Sequence, residues 1–513
     1  MPSAPAASPA RLLTLATHTR KTLWIVLGLL LIVRLFAMAV VPLTDTTEAR
    51  YAEIARKMAE TNDWITPQFD YGIPFWAKPP LSTWLSAISI KLFGVSELST
   101  RLPSLLLAIA MMALTWQWIA SRRNRDQALL TVTLLASTVL FFVAAGAVMT
   151  DSSLAICTTL TMIAFWNALH EKGRHWGYLF FVGLGFGLLA KGPLVGVLTF
   201  LPIVPWVIIR GEWRRAWQHI PWISGSLLML AIGLPWYLLA EHKTPGFIEY
   251  FIVGEHINRF LHSGWTGDKY GHAHAEPVGT IWLYWFYSAF PFSLIAIGWL
   301  TRLFITPLFT KGKGYELRAV LADEDGWNLY LLLWIVMLLL FFTFAGNIIW
   351  PYVLPGLPAF ACLAIELWRR QRTLNPVVNA VWPARGFIAA CAVILLVCVA
   401  MSGMYLFGNA EILKSSQREL VQVWQTQRQG DDSQLVYFDK SYQSAVFYTR
   451  AKVRTVESIA ELNALLENKS LDFIAIKDRD LPLLTPEINA HFHPIAHFED
   501  TTLLAEQAMT APQ

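Results

Sequence analysis

Apolar stretches of roughly 20 residues recur along this chain up to residue 407, each long enough to cross a hydrocarbon core of about 30 Å as a helix. Inside lipid a segment has to satisfy its own main-chain polar groups, so the repetition restricts the chain to an α-helical polytopic membrane protein. The expected spans are 22–41, 101–120, 128–147, 152–169, 176–190, 192–209, 221–240, 279–300, 328–345, 351–368 and 385–407. With allowance for ambiguous segments, that is a bundle of about 11–13 transmembrane helices.

Composition agrees with this, since 55% of the residues are hydrophobic and only 15% are charged, a balance that no ordinary soluble class shows. The net charge of +4 is small and spread over short clusters, so no nucleic-acid partner is expected. The clusters instead report topology: Arg11, Arg20 and Lys21, then Arg122, Arg123 and Arg125, then Arg210, Arg214 and Arg215, then Arg369, Arg370 and Arg372 mark the cytoplasmic side. The N-terminal arm, residues 1–21, has no acidic group and no convincing cleavage site, and reads as a cytoplasmic arm before a retained first span. The transmembrane domain is then 22–407, with long outer loops at 42–100 and 241–278. The four cysteines, Cys157, Cys362, Cys391 and Cys398, lie inside apolar runs and read as small membrane hydrophobes.

After residue 408 the long apolar runs stop. QLVYF and LDFIAI read as buried strands, and Ser458 with Glu461 forms a capping box at the head of a helix. Residues 408–513 are therefore expected to form a small extracytoplasmic α/β domain. It carries no glycine-rich phosphate loop, so no nucleotide cofactor is expected.

The groups able to do chemistry collect on the outer face. Asp45, Glu48 and Arg50 follow the first span, in a stretch that reads as a short amphipathic helix lying on the membrane, and LSTWLSAISIKLFG reads as an interfacial or re-entrant helix. Asp151 sits in a tight turn, where a helix N-cap is the plain alternative to a catalytic role. A carboxylate here could accept the proton of an attacking alcohol, while Glu48, Asp151 or His272 could contribute to a divalent metal site. Fixed cations for a phosphate leaving group are available in Arg50, Lys78, Lys191 and Arg259, with lipid snorkelling as the alternative for Lys191. Tyr51, His256, His272, His274 and Tyr352 complete the candidate substrate-binding set. Nucleotide-activated donors are confined to the cytoplasm, so group transfer on this face requires a membrane-borne donor.

TEARYAEIARKM, DWITPQFDYGIPFWAKPPLSTW, TDSSLA, LAKGP, HINRF with HAEP, and YVLPGLPAFACLAI occur in an order that resembles the PMT/ArnT-like glycosyltransferases. That family includes bacterial lipid A aminoarabinose transferases and, more distantly, protein O-mannosyltransferases. The resemblance implies a GT-C fold in a bacterial inner membrane, a polyprenyl-phosphate sugar donor, and inverting transfer to lipid A or another envelope glycolipid or glycan at the periplasmic face. It also implies a first-loop carboxylate as base, Asp151 as the second acidic group, and donor-phosphate contacts from Lys78 and Arg259. Thr47 stands where the aminoarabinose transferases carry an Asp, which leaves Asp45 and Glu48 as alternative bases; Ala77 replaces a glutamate and Asn347 a cation. A protein acceptor, or transport of lipid-linked sugar, is the rival reading.

Overall fold

The structure, a computed structural model, describes residues 13–170, 172–271, 274–301, 325–374, 382–406, 416–428, 430, 432–467 and 471–507. The chain divides into two compact units: Met1–Met38, Asp63–Leu85 and Arg101–Ala400 in one, and Ala39–Asn62, Ser86–Thr100 and Met401–Gln513 in the other.

Helices occupy all eleven expected apolar runs. Among the described residues, five segments are long and apolar enough to cross a membrane: Thr17–Val40, Glu97–Arg122, Thr150–Leu169, Trp222–Lys243 and Trp350–Arg370. Shorter apolar helices include Leu194–Arg210 and Trp327–Thr343. Two runs expected as single helices are broken. The first divides into Arg125–Ala136 and Val139–Ala144, and the second into Thr280–Ser288 and Ser293–Leu300, where Pro291 removes a main-chain donor.

The first unit packs around aromatic side chains. Trp166, Trp206, Trp327, Tyr330 and Trp334 are almost completely buried, and the Trp206 indole donates to the Gly326 carbonyl at 2.8 Å. The basic clusters do more than report topology. Arg122 pairs with Asp325 at 2.6 Å and lies over the Trp327 ring, and the buried Glu366 gathers Arg123 at 2.8 Å and Arg369 at 2.6 Å. Burying a carboxylate is tolerable only when cations answer it, and here they do. Arg34 likewise donates to the Val143 carbonyl at 2.7 Å within the bundle. All four thiols are free.

The second unit contains a five-stranded mixed sheet ordered Val453–Val456, Leu435–Phe438, Phe473–Lys477, Thr501–Glu506, Phe492–Phe498. Side chains alternate across it, so Val436 and Ile474 enter one apolar cluster while Leu435, Tyr437 and Phe473 enter another, and both faces are covered. The Glu461 main-chain N–H donates to Ser458 Oγ at 3.3 Å, as the capping box requires.

The helix Thr47–Thr61 corrects the expectation of a helix lying on lipid. Glu53, Arg56 and Lys57 are buried along with Ala49, Ala52 and Ala55, and Arg56 pairs with Glu53 at 2.7 Å. It packs against Gln443–Tyr448 of the same unit. Mutual neutralisation is what allows this polar face to be enclosed.

Candidate active site

Asp151 falls in the first turn of Thr150–Leu169, whose cap position is Met149, so the N-cap reading does not hold. The positive end of the helix dipole favours a carboxylate there. Lys191 is the last residue of His175–Lys191, and its ammonium reaches Asp151 Oδ1 at 2.5 Å with both residues about 5% exposed. The same ammonium stands 4.3 Å from the centre of the Tyr352 ring. Lys191 is therefore turned inward, which overturns the snorkelling alternative. The glycine that follows is required: Gly192 has φ +76°, and a Cβ there would lie 2.7 Å from the Phe251 ring and 3.1 Å from His256.

A second cluster forms around Glu255, which accepts from Lys78 at 2.7 Å and from Arg259 at 3.1 Å; Arg259 also pairs with Asp268 at 3.1 Å. Burial pushes the Glu255 carboxyl up, but the Lys78 and Arg259 charges outweigh it and hold the group below the usual carboxylate range. Side-chain exposures of 17% for Lys78 and 19% for Arg259 leave both side chains partly accessible.

His256 joins the two clusters. Its ring nitrogens lie against the Phe251 carbonyl at 2.8 Å and the Lys191 carbonyl at 3.1 Å, and burial draws its imidazole below the ordinary histidine range. Set between these two carbonyls, it positions the Lys191 turn. Tyr352 lies within electrostatic reach of Arg259, Lys78, Asp151 and Glu255, so these groups share one neighbourhood of the first unit.

Asn347, which stands in place of a cation, donates to the Arg259 carbonyl at 2.6 Å and the His262 carbonyl at 2.8 Å and accepts from the Gly264 N–H at 3.1 Å. It fixes the loop that carries Arg259. Tyr270 holds the segment before Lys78 in a comparable way, donating to the Pro74 carbonyl at 2.7 Å and accepting from the Trp76 N–H at 3.0 Å. Sequence pattern singles out neither as a site group, because each acts through the main chain. The His274 carbonyl accepts from the Ile348 N–H at 3.0 Å, and its side chain lines a cavity of about 270 Å³ with Glu276, Tyr284, Tyr287, Ile348, Ile349 and Trp350. His272 lies outside the described residues.

Asp45, Glu48, Arg50 and Tyr51 belong to the second unit. Asp45 accepts from the Ser444 N–H at 3.0 Å through one carboxylate oxygen and from the Ser444 hydroxyl through the other. Burial pushes its carboxyl up to about 6, against the opposing pull of Ser444 and the Arg50 charge. Glu48 Oε2 accepts weakly from the Thr44 N–H at 3.5 Å, and Tyr51 is half-buried on the same helix.

Asp151 is committed to Lys191, and among the described residues no group of three or more His, Cys, Asp or Glu side chains could hold a metal ion. No step below is routed through one.

Residues 23–251 match the family of dolichyl-phosphate-mannose-protein mannosyltransferases, PMT. The undecaprenyl phosphate-α-4-amino-4-deoxy-L-arabinose arabinosyl transferase of Enterobacter sp. (strain 638) is 31% identical over 73% of this chain and 65% of its own length. The transferase of the same name from Erwinia tasmaniensis is 29% identical over 68% of this chain and 60% of its own. The crystal structure of ArnT from Cupriavidus metallidurans bound to undecaprenyl phosphate superposes with a TM-score of 0.71 at 19% identity, covering 96% of this chain and 99% of that one.

The chain is similar to the PMT/ArnT-like family.

The superposition gives it the GT-C fold, and it is a multi-pass membrane protein. It spans less than two thirds of the length of those two curated relatives. Within the family pattern, LAKGP supplies Lys191 and the Gly192 turn, HINRF supplies His256 and Arg259, and AKPP supplies Lys78.

Proposed function

We propose that this protein is an inner-membrane glycosyltransferase that moves a sugar from a polyprenyl-phosphate donor to an envelope acceptor, lipid A or a related glycolipid, at the periplasmic face. The observation that carries the reading is the joining of two ion-pair clusters, Asp151–Lys191 and Lys78–Glu255–Arg259, through His256 beneath Tyr352. Its relatives' names supply the class of donor, an undecaprenyl-phosphate aminopentose.

In this reading Lys78 and Arg259 exchange part of their contact with Glu255 for the donor phosphate and stabilise the charge that develops on it. The acceptor hydroxyl forms its bond to the anomeric carbon as the bond from that carbon to the phosphate oxygen breaks, from opposite faces, so configuration inverts. The electron pair leaves with the lipid phosphate and the hydroxyl proton passes to a carboxylate. Asp45, with both oxygens engaged by Ser444, and Glu48 are the two alternative first-loop bases. Lys191 holds Asp151 in orientation beside Tyr352.

The test is transfer by the purified protein in proteoliposomes from undecaprenyl-phosphate aminoarabinose to lipid A, read by mass spectrometry. A product that is abolished by Asp151→Asn supports the reading. Donor moved across the bilayer without any product overturns it.

A further inference from the structure

The cavity beside His274 is not used by the chemistry above. At about 270 Å³ it falls below the range of about 300–1,000 Å³ typical of pockets for drug-sized ligands, so it suits one small ring rather than an extended chain. Its walls are continuous with the site. Ile348 follows Asn347, which holds the Arg259 carbonyl, and Trp350 opens the tight helix Trp350–Gly356 that carries Tyr352. The bridge between Ala275 and Asn347, with the Ile348 N–H donating to the His274 carbonyl, locks Glu276 against this segment.

Glu276 differs from the carboxylates around it. Asp151, Glu255 and Asp268 each meet a cation, whereas Glu276 has none among the described residues and receives a single hydrogen bond, from the Tyr284 hydroxyl at 3.0 Å. This half-buried carboxylate stands beside Tyr284, Tyr287 and Trp350 and has lone pairs to spare. Aromatic faces attract an ammonium, and the carboxylate repels phosphate and other anions.

We propose that Glu276 is the selectivity carboxylate of this site, receiving a positively charged amino group on the transferred sugar while Tyr284, Tyr287 and Trp350 hold the ring. This rests on the glycosyl-transfer reading above and names the feature of the sugar that the site selects.

The experiment compares two donors in proteoliposomes, undecaprenyl-phosphate 4-aminopentose and the same lipid with its amine formylated and therefore neutral. Wild type, Glu276→Gln and Glu276→Asp are each verified as folded by size exclusion and thermal unfolding. Removal of one charge-assisted hydrogen bond predicts that Glu276→Gln lowers kcat/KM for the amino donor by about tenfold or more, while the formylated donor stays within about twofold. Glu276→Asp restores part of the preference. Equal loss on both donors, or loss on neither, with transfer intact in the wild type overturns the inference alone. A wild type that transfers neither donor overturns the proposed function and the inference together.

Discussion

Lys191→Met tests the inward-facing ion pair. The substitution keeps an unbranched side chain of similar length in the space between Asp151 and the Tyr352 ring but deletes the ammonium 2.5 Å from the carboxylate. Asp151 is 5% exposed, so the orphaned charge has little access to water. Breaking a buried pair from one side costs about 3–5 kcal/mol, whereas replacing both partners by neutral groups costs far less. Lys191→Met alone should therefore be strongly destabilised, and Asp151→Asn with Lys191→Met should recover much of the loss. Chemical denaturation in detergent, followed by tryptophan fluorescence, measures the cycle. A single variant as stable as wild type, or two single effects that simply add in the double variant, would refute the buried-pair account.

Two further outcomes follow from the same geometry. The Asp45 carboxyl titrates at 3.8 when unfolded and at about 6 in place, so the folded state binds more proton between these values. The stability present below pH about 4 is lost as pH rises through 6, a change of about 3 kcal/mol for a shift of this size, and Asp45→Asn should flatten that slope in thermal unfolding measured against pH. A slope unchanged in the variant would assign the pH dependence elsewhere. Lys78→Ala and Arg259→Ala should each raise the KM for the lipid donor by about tenfold or more through loss of a charged hydrogen bond, while leaving binding of the acceptor unaffected; steady-state kinetics with both substrates varied separates the two.

The spans were legible because lipid imposes a single rule on main-chain polar groups, and every expected apolar run contains helix. Lys78, Asp151, Lys191 and Arg259 were legible as charges that an apolar bundle has no use for. What the sequence hid was which charge meets which. Lys191 looked outward by the distribution of basic residues, and only the packing of Gly192 against Phe251 and His256 shows it turned toward Asp151. His256 read as a free imidazole because nothing in the chain order announces two carbonyls beside it. The helix Thr47–Thr61 was amphipathic in pattern, but burial of Glu53 with Arg56 depends on groups brought together only on folding. Asn347 departed from the family pattern and looked like a missing cation, yet its amide fixes the Arg259 loop.

The most direct test of the central claim is single-turnover transfer from undecaprenyl-phosphate aminoarabinose to lipid A by the reconstituted protein, wild type beside Asp151→Asn and Glu48→Gln, with the anomeric configuration of the product read by NMR. The account predicts an inverted glycoside from the wild type and loss of product in Asp151→Asn, while Glu48→Gln decides between the two first-loop bases. Product of retained configuration, or undiminished transfer by Asp151→Asn, would contradict it.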